Sequence, residues 1–157
     1  MWETPSFIKY LSKKSEIIFD NTSNLFYQLH NTQSNQISVS NIERNLGYYS
    51  FNSISYYLYN YLPVKKYFGS YGIFKNIISS IRYLLYDISS YQNSKIDLSP
   101  PDWKDLLEYT QRYYPTMTSD IEYMLKINKT TNISDYDISR CFSIFCKLHN
   151  KVWETLS

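Results

Sequence analysis

The sequence predicts an all-α fold: a compact single domain spanning residues 1–157, built as a bundle of about six helices around a central hydrophobic helix at about 73–89. Three observations carry this. Phe74, Ile77, Ile78, Ile81, Leu84, Leu85 and Ile88 recur at helical spacing, and Ile73, Tyr83 and Tyr86 widen that stripe until the helix needs partners nearly all round. No segment keeps the period-two alternation of a half-buried strand. No break in composition divides the chain, and its length suits one domain with its own core.

Along the central helix only Lys75, Asn76, Arg82, Asp87 and a few serines are left to face water. A membrane span needs roughly 20 mostly apolar residues. Asn76, Arg82 and Asp87 inside a shorter run argue against insertion.

The other elements follow in order. A first helix is expected from about Pro5 to His30, with Phe7, Ile8, Leu11, Ile17, Ile18, Leu25, Phe26 and Leu29 as its apolar set. The run Asp20–Asn24 competes for backbone hydrogen bonds and could divide it. Asn31 to Gln36 reads as a loop. A second helix starts near Ser38 or Ser40 and stops at Leu62, before Pro63. The spacing of Phe51, Ile54, Leu58, Tyr61 and Leu62 predicts its inward face, which turns Tyr48, Tyr49, Tyr56 and Tyr59 outward. One further turn at Val64–Phe68 is closed by Gly69 and Gly72 as breakers.

After the central helix and a polar loop at 89–94, Ser99 as N-cap, Pro100 and Asp102 open a helix whose stripe is Trp103, Leu106, Leu107, Thr110 and Tyr113 or Tyr114. Pro115 ends it. Ser119 with Glu122 predicts a capping box for a short helix holding Ile121, Met124 and Leu125. Ser134 with Asp137 opens the last helix, whose stripe is Ile138, Cys141, Phe142, Phe145, Leu148 and Val152.

Composition reflects coding as much as chemistry. The chain has 18 Tyr and 8 Phe but only 3 Gly, and alanine is absent. Residues with GC-rich codons are scarce, which points to an AT-rich genome. Some tyrosines therefore stand where Phe or Leu would serve. The net charge of +2 is too small to imply a polyanionic partner by itself. No acid occurs from Arg44 to Tyr86, however, a stretch that carries Arg44, Lys65, Lys66, Lys75 and Arg82.

Chemistry-bearing patterns are few. His30 and His149 have no second ligand at a metal-binding interval, and each sits where a helix C-terminus favours a cation anyway. No phosphate loop, nucleophile elbow or HExxH motif is present. Asp102, Asp105, Glu108, Asp135 and Asp137 fall on opening turns of helices, where acids complement the dipole whatever the protein does. Cys141 and Cys146 are five apart, about 140° round a helix, so they do not bridge each other. Unpaired cysteines and an N-terminus unlike a signal peptide lead to the expectation of a reducing intracellular compartment, the cytoplasm or an organelle interior, rather than secretion.

These features exclude no function class outright but favour a protein without catalytic, metal or cofactor residues. The expected function is a non-catalytic helical protein–protein interaction module: an adaptor, scaffold or assembly subunit with a tyrosine-rich surface for a partner protein or for self-association. Its binding residues are expected to be Tyr48, Tyr49, Tyr56 and Tyr59, edged by Lys65 and Lys66. Two alternatives stand beside it. The basic, acid-free stretch 44–86 could bind nucleic acid or another polyanion, with tyrosines stacking on bases. An aromatic helical bundle could also hold an apolar cofactor or pigment.

Overall fold

The computed structural model describes residues 39–92, 103–130 and 132–156. Among these residues the chain is helical, with no strand. Five α-helices occur: α1 (Val39–Tyr59), α2 (Lys65–Gln92), α3 (Trp103–Tyr113), α4 (Thr118–Ile127) and α5 (Asp135–Leu156). A 3₁₀ turn at Pro115–Met117 lies between α3 and α4. The first helix expected at 5–30, and the Ser99, Pro100 and Asp102 start expected for α3, lie outside the described residues.

Helix α2 packs against α1, α3 and α5. Ile73, Phe74, Ile77, Ile81, Leu84, Leu85 and Ile88 are fully buried along it, as their spacing requires. Its start differs from expectation. Gly69 interrupts the helical path with φ 64° and ψ 161°, a conformation open to glycine because it lacks a Cβ. Gly72 is no breaker and lies inside the helix, with room for ordinary contact to Phe68.

A larger correction concerns Asp87. Expected to face water, it is fully buried, where its carboxylate Oδ2 accepts from Asn45 Nδ2 at 2.8 Å and Tyr49 OH at 3.0 Å. A charged group is tolerated in a core only when donors replace its water.

That pairing decides which way α1 faces. Ile42, Asn45, Leu46, Tyr49 and Ser53 form its buried side. The residues expected inward point outward: Phe51 is 73% exposed, and Ile54, Leu58, Tyr61 and Leu62 are exposed with it. Polar anchors hold this orientation. Besides Asn45 and Tyr49, Asn52 Nδ2 donates to Ser80 Oγ of α2 at 2.9 Å, and the small Ser53 lies against the core with no exposed surface.

The C-terminal half follows its pattern more closely. Leu106, Tyr109 and Thr110 bury one side of α3, and the Thr110 hydroxyl turns back to donate to Leu106 O at 2.7 Å. The capping box expected at Ser119 does not form. The 3₁₀ turn runs straight into α4, whose first residue is Thr118 and whose N-cap position, Met117, makes no side-chain bond. At α5 the cap is present: Asp137 N donates to Ser134 Oγ, while Asp137 Oδ2 accepts from Ser134 N at 2.9 Å. Ile138, Cys141, Ile144, Phe145, Leu148 and Val152 are buried beneath it. Cys141 and Cys146 are both free thiols, the first buried and the second exposed.

Candidate functional site

Where α1 ends, aromatic residues crowd one corner of the molecule. Asn60 N, Tyr61 N and Leu62 N donate to carbonyls three residues earlier, so the helix tightens over its last turn before Pro63. The chain then re-enters a helical turn at Lys65 and bends at Gly69. This folds Phe68 back against α1. Its ring stacks on Tyr59, with centroids 5.4 Å apart and planes 7° apart, and meets Tyr56 edge-on at 5.4 Å. Tyr56 and Tyr59 also touch each other edge to face. Offset-stacked and edge-on rings satisfy the aromatic quadrupole, and such pairs are each worth about 0.5–1.5 kcal/mol beyond the area they bury.

Onward from this triad the side chains reach solvent. Tyr67 is 76% exposed, and Tyr61 and Tyr71 are exposed as well. Two lysines lie over tyrosine rings: Lys66 above Tyr67 at 4.9 Å and Lys75 above Tyr71 at 5.0 Å. On the side toward α5, Tyr57 stacks on Phe142 at 4.2 Å, and Tyr61 OH shares a hydrogen bond with Ser139 Oγ at 3.3 Å. Lys65 Nζ donates to Asp135 Oδ1 at 2.7 Å. That bond and the lysine's charge hold the Asp135 carboxyl below its ordinary range.

The six residues singled out by sequence do not share one surface. Tyr56, Tyr59, Lys65 and Lys66 belong to this corner, the two tyrosines half-buried against Phe68. Tyr48 is exposed farther up α1. Tyr49, expected to face outward, is buried and donates to Asp87; its phenol is pushed up first by burial, then by the carboxylate's charge. It is a core residue because its hydroxyl supplies one of the donors Asp87 needs. Sequence reasoning missed Phe68, Tyr67 and Tyr71. The signal was available, since three aromatic residues surround Gly69 just beyond a proline that turns the chain.

Chemically, the corner offers rigid aromatic area with an ammonium rim. Among the described residues no group of three His, Cys, Asp or Glu side chains could hold a metal ion. Among them, too, no helix is long and apolar enough to cross a membrane. No family model, curated protein or solved structure matches the chain.

Proposed function

We propose that this protein is a non-catalytic helical interaction module that binds a partner protein through the aromatic corner between α1 and α2. The observation that carries the proposal is the exposure of Tyr61, Tyr67, Phe68 and Tyr71 beside the half-buried pair Tyr56 and Tyr59. Tyrosine suits an interface core, because it presents a large, stiff, amphipathic surface with few rotamers to freeze. The stacking behind Phe68 fixes part of the surface before a partner arrives, which lowers the ordering cost of binding.

A polyanion is the second reading, favoured by Lys66 over Tyr67 and Lys75 over Tyr71, the cation-plus-ring pairing that suits a single-stranded nucleic acid. Two of the five cations in the acid-free stretch are held by other polar groups: Lys65 pairs with Asp135, and Lys75, besides lying over its ring, donates to Asn128. That leaves the basic stretch poor in phosphate-binding capacity, so the protein partner is preferred.

Affinity capture from native extract tests both. The wild type is expected to recover a protein that the Tyr67→Ser/Tyr71→Ser double variant loses, with both chains melting at nearly the same temperature. The capture should also persist from about 50 to 200 mM salt, a range over which phosphate-driven binding falls steeply. Retention of the same partner by the double variant refutes the corner. Loss of the partner with salt, together with nucleic acid in the eluate, turns the assignment to the second reading.

A further inference from the structure

An apolar stripe lies on the side of α1 that faces away from the core. Phe51, Ile54 and Leu58 recur three and four residues apart and Tyr48 precedes them by about one turn; all four are exposed and fall within about 120° of one another round the helix. Leu62, exposed as well, continues the row past the last turn. No charge interrupts it, since no charged residue occurs from Asn45 to Val64. With a whole aromatic side chain taken at about 150–250 Å² and Ile or Leu somewhat lower, the exposed fractions of these five come to about 500 Å². A contiguous apolar patch of that size marks a contact surface.

We propose that a second copy of this chain covers the stripe, with the two α1 helices packed antiparallel across a two-fold axis near Ile54. Area is the first argument. Two such stripes facing each other bury about 1,000 Å² from these side chains alone, the threshold for a specific interface. Self-complementarity is the second. A two-fold contact sets residue i against j and j against i, so a patch of one charge sign repels its own copy. This stripe is neutral, and charges flank it only at its ends, Glu43 and Arg44 before it and Lys65 and Lys66 after it. Antiparallel packing carries each end to the opposite end of the second copy. Glu43 then comes to the side of Lys66, and Arg44 to that of Lys65, whose charge Asp135 already balances.

Register follows from the apolar positions. With the axis between Ile54 and Ser55, equal rise along both helices sets Phe51 against the second copy's Leu58, and Leu58 against its Phe51. The two Ile54 side chains meet at the axis, where Ser55 is small enough to let helix axes approach to the usual separation of about 8–10 Å. Gly47 comes opposite the second copy's Leu62. A Cβ at Gly47 would have nothing within 4 Å, so that space is open to the incoming leucine. Tyr48 lies opposite the second copy's Tyr61. The interface therefore borders the aromatic corner and shares that one tyrosine with it, while Tyr67 and Tyr71 are not in the pairing.

Sedimentation equilibrium on the full chain tests the proposal. Specific interfaces bind at micromolar strength or tighter, so at about 100 µM the wild type is expected at twice the chain mass. Phe51→Glu and Leu58→Glu each set two carboxylates into the dry contact and should sediment as monomers at the same concentration, melting near the wild-type temperature because both positions are exposed in the single chain. Tyr67→Ser/Tyr71→Ser should stay dimeric, so loss of the captured partner and loss of the dimer are read separately. A monomeric wild type at that concentration overturns the proposal, as does a dimer that survives either acidic substitution. A dimer lost in Tyr67→Ser/Tyr71→Ser places self-association at the corner and overturns it equally. If both acidic variants unfold, Ile54→Cys in a Cys146→Ser chain decides. Mild oxidation is expected to give an interchain disulfide there and none for Gln111→Cys in the same background; no disulfide at Ile54→Cys, or one formed equally at Gln111→Cys, refutes the axis.

Discussion

Replacing Tyr49 tests the orientation of α1, because the two faces of this helix assign that residue opposite roles. Tyr49 is 4% exposed, its ring stacks on Tyr83 with planes 13° apart, and its hydroxyl donates to buried Asp87. Tyr49→Phe keeps the ring and removes only the donor. A hydrogen bond to a charged group contributes about 1.5–3 kcal/mol, so a loss of that size is expected, with Asn45 still serving the carboxylate. Tyr49→Ser removes the ring as well, and truncating a buried aromatic costs about 3–5 kcal/mol. Tyr48→Ser, one residue away but 53% exposed, should change stability by less than about 1 kcal/mol. In urea melts with a slope of about 2 kcal/mol/M, Tyr49→Phe should lower the midpoint by about 1 M and Tyr48→Ser by less than half that. A Tyr49→Ser midpoint close to that of Tyr48→Ser would refute the orientation and return Phe51, Ile54 and Leu58 to the core.

Other expectations follow from burial and titration. Ile81 has no exposed surface, so Ile81→Ala should cost about 2–5 kcal/mol in the same melts, through lost burial and the cavity left behind. Tyr49 and Tyr109 are held protonated, chiefly by burial, while tyrosines of the unfolded chain ionise near pH 10. Raised folded values mean stability that is complete below about pH 10 and lost above it, with each phenol contributing about 1.4 kcal/mol per pH unit. Urea midpoints that do not fall between pH 9.5 and 11.5 would contradict the burial of these phenols, the window being about that ionisation range. Burial pushes the Cys141 thiol up to about 12, so a thiol reagent should label Cys146 in the native protein and Cys141 only after unfolding. Two labels gained at equal rates in the native state would place Cys141 on the surface.

Much of this architecture was legible in the sequence where one signal stood alone. Helix α5 combined a serine cap, an acid three residues later and one apolar stripe; the cap forms and the buried side matches except that Ile144 is buried, while Phe142, expected inward, is half-buried against Tyr57. Helix α2 was apolar enough all round that no choice of face arose, although the burial of Asp87 depended on donors from α1 that local spacing does not reveal. Helix α1 presented two apolar faces. Phe51, Ile54 and Leu58 outrank Tyr49, Asn45 and Ser53 in hydrophobicity, so periodicity selected the wrong side. A polar pairing across 38–42 residues of chain decided the contest. The candidate site was half legible for the same reason. Tyr56 and Tyr59 were identified, but their partner Phe68 reaches them only because Gly69 bends the chain, and spacing could not choose between Gly69 and Gly72.

Site-specific photo-crosslinking in native extract is the most direct test of the aromatic corner as the partner-binding surface. A photoreactive phenylalanine analogue placed at Tyr67, and separately at Tyr71, is expected to give one protein adduct of the same mass at both positions. At Gln111, an exposed position on α3, the same analogue is expected to give none. Adducts absent at Tyr67 and Tyr71, or equally abundant at Gln111, would contradict the account.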